Sequence, residues 1–166
     1  MKRKTILVLL VSVLLTGLVA GCGTEQNKTD QNSDKVTLES NTYINKEDPM
    51  MIKLSFNGEE ILVKTYDNPT SQDFISLLPM SLTFQDYAGT EKVSDLPRSL
   101  STENAPAGFD PNVGDLTLYA PWGNLAIFYQ DFGYSNGLIS LGKIESGIEK
   151  LKAMSGSFDV LIEKVE

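Results

Sequence analysis

The sequence predicts a mainly β protein, a barrel or sandwich plugged by two short helices. Three observations lead there. Short runs alternating apolar with polar residues recur through the last two thirds of the chain. Gly, Pro and Asn punctuate them at turn spacing, and only two segments carry helical spacing.

The elements follow in order. Met51 to Phe56 alternates as a half-buried strand does, and Asn57-Gly58 is a type I′ hairpin signal because both positions need positive φ. Glu60 to Tyr66 is the return strand. Asn68 to Leu78 reads as a short helix capped by Thr70, with Phe74, Leu77 and Leu78 on one face and Pro79 ending it. Met80, Leu82 and Phe84 alternate with polar neighbours. A Gly/Pro-rich loop spans Ser99 to Gly114, and Leu116–Tyr119 and Leu125–Tyr129 are short strands. Leu138–Leu141 leads into Gly142-Lys143-Ile144. A second helix fits Glu145 to Met154, and Phe158–Ile162 is the closing strand.

The first third is built differently. Lys2, Arg3 and Lys4 precede an apolar run from Ile6 to Ala20 that ends in Leu18-Val19-Ala20-Gly21-Cys22. A positive start, a short hydrophobic core and small residues at the cut form the layout of a secretory signal over residues 1–21. Cys22 is the only cysteine, so no intramolecular disulfide forms. Residues 22–49, rich in Asn, Gln, Thr, Ser, Asp and Lys, read as a flexible linker. The folded domain is expected over residues 50–166.

Leu-Val-Ala-Gly-Cys resembles a bacterial lipobox. The resemblance implies that Cys22 receives a diacylglycerol, becomes the first mature residue and anchors the protein to the extracytoplasmic face of the cell membrane. One acyl chain holds only weakly, with K on the order of 10⁴ M⁻¹, whereas two or more anchor stably. The chain carries 14 Lys+Arg against 22 Asp+Glu; losing Lys2, Arg3 and Lys4 with the signal leaves 11 against 22, a net −11. Such a surface repels nucleic acid. There is no His, so the usual acid–base group at neutral pH is missing, and no Cys/His metal cluster or Ser-His-Asp site is possible. No cofactor motif is present.

Candidate binding residues cluster late in the chain. Pro121-Trp122-Gly123-Asn124 interrupts a strand-like run, and a turn there presents the only tryptophan at a barrel mouth. Phe128, Tyr129 and Tyr134 follow in a polar-aromatic stretch. With Arg98, the one arginine after the signal segment, they form a candidate groove for a peptide segment or small molecule: Arg98, Trp122, Asn124, Phe128, Tyr129 and Tyr134. The same residues serve equally as core edge and loop anchors, with Arg98 paired to Asp95, Glu91 or Asp115. Asp110 to Asp115 lacks the alternating oxygen ligands of a calcium loop.

The tail LISLGKIESGIEKLKAMSGSFDVLIEKV resembles the C-terminal part of cyclophilins, and IKLSFNGEEILVKTYDNPTSQDFISLL resembles their first hairpin and helix. GDLTLYAPWGNLAIFY and EKVSDLPRSL are closer still to bacterial cyclophilin-like proteins that lack the isomerase signature. The resemblance covers about Met51 to Val165 and implies a closed barrel. Cyclophilins use the Arg of a Phe-His-Arg motif to stabilise a twisted prolyl amide, and this chain has no such motif. By position, their pocket His falls near Leu138, their pocket Trp near Phe132 to Tyr134, and Phe128 matches a pocket Phe. Arg98 follows the strand where the catalytic Arg would be sought. The resemblance therefore implies a non-catalytic binding module, with a peptidyl-prolyl isomerase using Arg98 as the alternative.

Overall fold

The computed structural model describes residues 49–165. The signal segment, Cys22 and nearly all of the linker lie outside the described residues.

Alternation sets the first strands. β1 (Met51–Phe56) sends Ile52, Leu54 and Phe56 inward, and β2 (Glu59–Thr65) sends Ile61, Val63 and Thr65. Asn57 and Gly58 join them with φ of 48° and 79°, the left-handed pair a two-residue hairpin requires. Helix α1 (Pro69–Ile75) is shorter than its sequence pattern, and Asn68, not Thr70, caps it. The Asn68 Oδ1 accepts from the Ser71 N–H at 2.9 Å, and Pro69 takes the first turn, where no amide donor is needed. Thr70 is instead buried.

The remaining elements are β3 (Met80–Tyr87), β4 (Glu91–Asp95), β5 (Gly108–Phe109), β6 (Asp115–Tyr119), β7 (Asn124–Phe128), β8 (Ser135–Asn136), β9 (Leu138–Ser146), α2 (Ile148–Ala153) and β10 (Phe158–Lys164). Eight strands close a barrel in the order β1-β10-β3-β4-β7-β6-β9-β2, every pair antiparallel, and β5 and β8 form a separate ribbon. Closure leaves the barrel without a free edge. Ile52, Leu54, Phe84, Leu116, Leu125, Ile127, Leu141 and Ile162 fill the interior, with Phe74 of α1 and Leu151 of α2 packed on it.

β7 departs from alternation: all five of its residues are buried. Leu125 and Ile127 face the barrel interior, while Ala126 and Phe128 join Val93 and Leu138 in a second apolar cluster on the outer face. The β4 register explains this. Lys92 pairs with Ile127 and so points inward, and Val93 pairs with Ala126 and points outward.

Candidate functional site

The second cluster floors a cavity of about 260 Å³ on the outer face of β4, β7, β6 and β9. Val93, Ala126, Phe128 and Leu138 form its base, all under 10 % exposed. Its rim is aromatic and open to solvent: Tyr87, Trp122 and Phe132 are 43, 62 and 45 % exposed. Such a concave apolar site with a few polar groups is the ordinary form of a small-ligand site, though its volume falls just below the usual range of about 300–1,000 Å³.

The β6–β7 hairpin places the tryptophan. The amides of Trp122 and Gly123 both donate to the Tyr119 carbonyl, at 3.2 and 2.9 Å, folding Ala120–Gly123 into a tight turn. The indole then stands edge-on to two rings, Tyr119 at 5.3 Å and Tyr87 at 5.8 Å between centroids. Gly137 supports the turn from below. Its φ is 77°, and a Cβ there would lie 2.7 Å from Pro121 Cδ. Across the cavity, Phe132 packs on Phe128 at 5.5 Å.

Three polar residues line the cavity close to the floor. Ser135 lies on β8. Asn124 is 6 % exposed, and its Oδ1 has no hydrogen-bond partner among the described residues. Glu91 is half-buried, and its carboxylate makes no hydrogen bond or ion pair among the described residues. Burial, with the Asp86 charge adding, holds the Glu91 carboxyl above the usual carboxylate range.

Of the residues the sequence grouped as a groove, the structure brings Trp122, Asn124 and Phe128 together and sets the other three elsewhere. Arg98 grips Asp73 of α1 with both guanidinium arms, Nη2–Oδ1 at 2.6 Å and Nη1–Oδ2 at 2.9 Å; Asp95, Glu91 and Asp115 are not its partners. Arg98 also donates to the Ser99 carbonyl at 3.0 Å, and Asp73 accepts the Ser101 amide at 2.7 Å. This clamp ties the loop after β4 to α1 and keeps the guanidinium away from the cavity. Arg98 beside it, then the Ser101 amide, hold the Asp73 carboxyl down to about 2. Tyr129 is buried behind the floor, its hydroxyl on Asp86 and its ring 4.9 Å from Lys92 Nζ. Burial first, then the Asp86 hydrogen bond, pushes its phenol up to about 12. Tyr134 is exposed and lies against Gly108 of the β5–β8 ribbon, outside the lining.

Leu138, near which the resemblance put the pocket His, lines the cavity; of Phe132 to Tyr134, the stretch put near the pocket Trp, Phe132 lines it and Tyr134 does not. Asp115, at the end of the segment weighed for calcium, is occupied by Lys143 at 2.8 Å and the Asn112 amide at 2.7 Å. Tyr87, Glu91, Val93, Tyr119, Ala126 and Ser135 also line the cavity and are not among the sequence candidates. One signal was available: Leu125 to Tyr129 is a continuous apolar run, and a strand apolar on both sides is covered on both faces. Glu91-Lys92-Val93 carried none, because alternation puts valine inside and the lysine out.

A closed eight-stranded antiparallel barrel with two helices is the architecture of a cyclophilin-like domain. The chain belongs to the cyclophilin-like family, whose profile matches residues 54–163. Among solved structures it is similar to a hypothetical protein from Archaeoglobus fulgidus, known from a solution structure. The TM-score is 0.58 at 18 % identity, covering 71 % of this chain and 96 % of that one. That likeness is one of fold. A search of curated proteins finds no match.

Proposed function

We propose that this domain is a non-catalytic binding module whose ligand, a small molecule or the side chain of a peptide, enters the cavity beside Trp122. The protein carries it on the extracytoplasmic face of the cell membrane, held by lipid on Cys22. The observation that carries the reading is the doubly buried β7. A barrel that needed only its own core would leave Ala126 and Phe128 facing water, as β2 and β10 leave outer residues such as Leu62 and Leu161. Here those positions are apolar and roofed by a solvent-facing aromatic rim.

The isomerase alternative has less behind it. Rotating a prolyl amide crosses a barrier of about 18–20 kcal/mol, and each ~1.4 kcal/mol removed is tenfold in rate. The lining holds no cation to stabilise the twisted amide, and Arg98 is engaged with Asp73.

Three assays test the proposal with the full chain. Small aromatic probes should shift Trp122 emission saturably, with no other tryptophan to confuse the signal; unchanged emission across a probe panel would remove the module reading. Proline-peptide isomerisation should proceed at its spontaneous rate; acceleration at micromolar protein would restore the enzyme. For the anchor, labelled fatty acid should attach to wild type and not to Cys22→Ala.

A further inference from the structure

We infer that the cavity selects a small organic ammonium, an amine on a short aromatic or apolar body, with Glu91 as its counter-charge. The inference rests on the module reading above and adds the chemistry of the ligand.

Four observations converge. Glu91 contributes a half-buried carboxylate to a largely apolar cavity, and no hydrogen bond or ion pair satisfies it among the described residues. A carboxylate held in such a place is costly unless something cationic meets it. Asn124 adds a second acceptor, its buried Oδ1 equally without a donor. An N–H-rich group supplies what both lack, whereas an anion or a pure acceptor supplies neither.

The rim is the third observation. Tyr87, Tyr119, Trp122 and Phe132 surround the opening above Phe128, and aromatic faces attract cations through their quadrupole. The fourth is what the lining leaves out. It contains no Lys or Arg. The adjacent Lys92 points into the opposite side of the sheet, where Asp86 and the Met154 carbonyl hold its Nζ at 2.7 Å each. Nothing in the cavity therefore neutralises Glu91. The carboxyl's upward pKa direction agrees with that isolation. Size favours a small ligand: about 260 Å³ takes one compact molecule. The acidic surface would also concentrate cations near the opening.

The test pairs 2-phenylethylammonium with its neutral isostere 2-phenylethanol, titrated against the full chain at fixed salt with Trp122 emission as readout. The ammonium should bind at least tenfold tighter than the alcohol. Glu91→Gln should bring the two affinities together, chiefly by weakening the ammonium, and its circular dichroism should match wild type. Equal binding of both probes to wild type would overturn the inference and leave the module reading standing. No response to either would overturn both. A preference that survives Glu91→Gln would remove Glu91 from the account. Nα-acetyl-lysine amide forms the last arm: if it alone shows the Glu91-dependent preference, the small-molecule source is wrong.

Discussion

Lys92 Nζ lies 2.7 Å from Asp86 Oδ2, and the lysine is 1 % exposed. An ammonium on the inward face of a barrel strand is tolerable only with partners, and Asp86 and the Met154 carbonyl supply them. The two substitutions should therefore differ. Asp86→Ala leaves a buried charge unpaired and is expected to cost about 2–3 kcal/mol. Lys92→Met removes the charge with its demand and should cost less. Urea unfolding of both variants and the double mutant checks this. A costlier Lys92→Met, or strictly additive effects, would contradict it.

The Arg98–Asp73 clamp predicts an acid-dependent contribution to stability. Asp73 titrates at about 2 in the fold against an ordinary 3.8, so the folded pKa is the lower one. Its contribution is full above the unfolded value and is lost as pH falls toward about 2. Arg98→Gln should thus lower the melting temperature at neutral pH, and the difference from wild type should vanish near pH 2. The pair is partly exposed, so the effect is modest. Because Arg98 lies off the cavity lining, probe binding at neutral pH should be unchanged.

Trp122 and Phe128 separate binding from stability. Trp122 is 62 % exposed, so Trp122→Phe should weaken ligand binding with little change in the unfolding midpoint. Phe128 is 2 % exposed, and Phe128→Ala should cost about 3–5 kcal/mol. Calorimetric binding and denaturant titration on both variants measure the split. Equal destabilisation by the two would mean that the indole belongs to the core.

Gly137 should report on the turn that aims the indole. A methyl group there meets Pro121 Cδ at 2.7 Å, and its φ of 77° is unfavourable to other residues by about 1–2 kcal/mol. Gly137→Ala is expected to lower stability by at least that amount and to shift the Trp122 emission maximum. An unshifted spectrum would show that Gly137 does not set the turn.

Much of the barrel was legible because its interior obeys period two. Ile52, Leu54 and Phe56, or Ile61 and Val63, announce their strands and the face they bury, and Asn57-Gly58 fixes the first register. The cavity was half legible. The Pro-Trp-Gly-Asn interruption marked the turn, but nothing local could tell that Arg98 would reach back 25 residues to Asp73. Nor could Tyr129 be told from a rim aromatic, since Asp86, which buries its hydroxyl, lies 43 residues away. Lys92 and Val93 inverted the usual rule, because Val93 packs into the outer apolar cluster while Lys92 is paired with Asp86 on the inner face.

The central claim is that the outer face of β7 is a binding site. Ala126, 3 % exposed on its floor, offers the most direct measurement. Trp122 emission is followed while 2-phenylethylammonium is added to the wild-type full chain and to Ala126→Leu, whose larger side chain fills the cavity without adding charge. Saturable change in wild type that is lost in a folded Ala126→Leu is the predicted result. No change in wild type, or the same saturation in both, would contradict the claim.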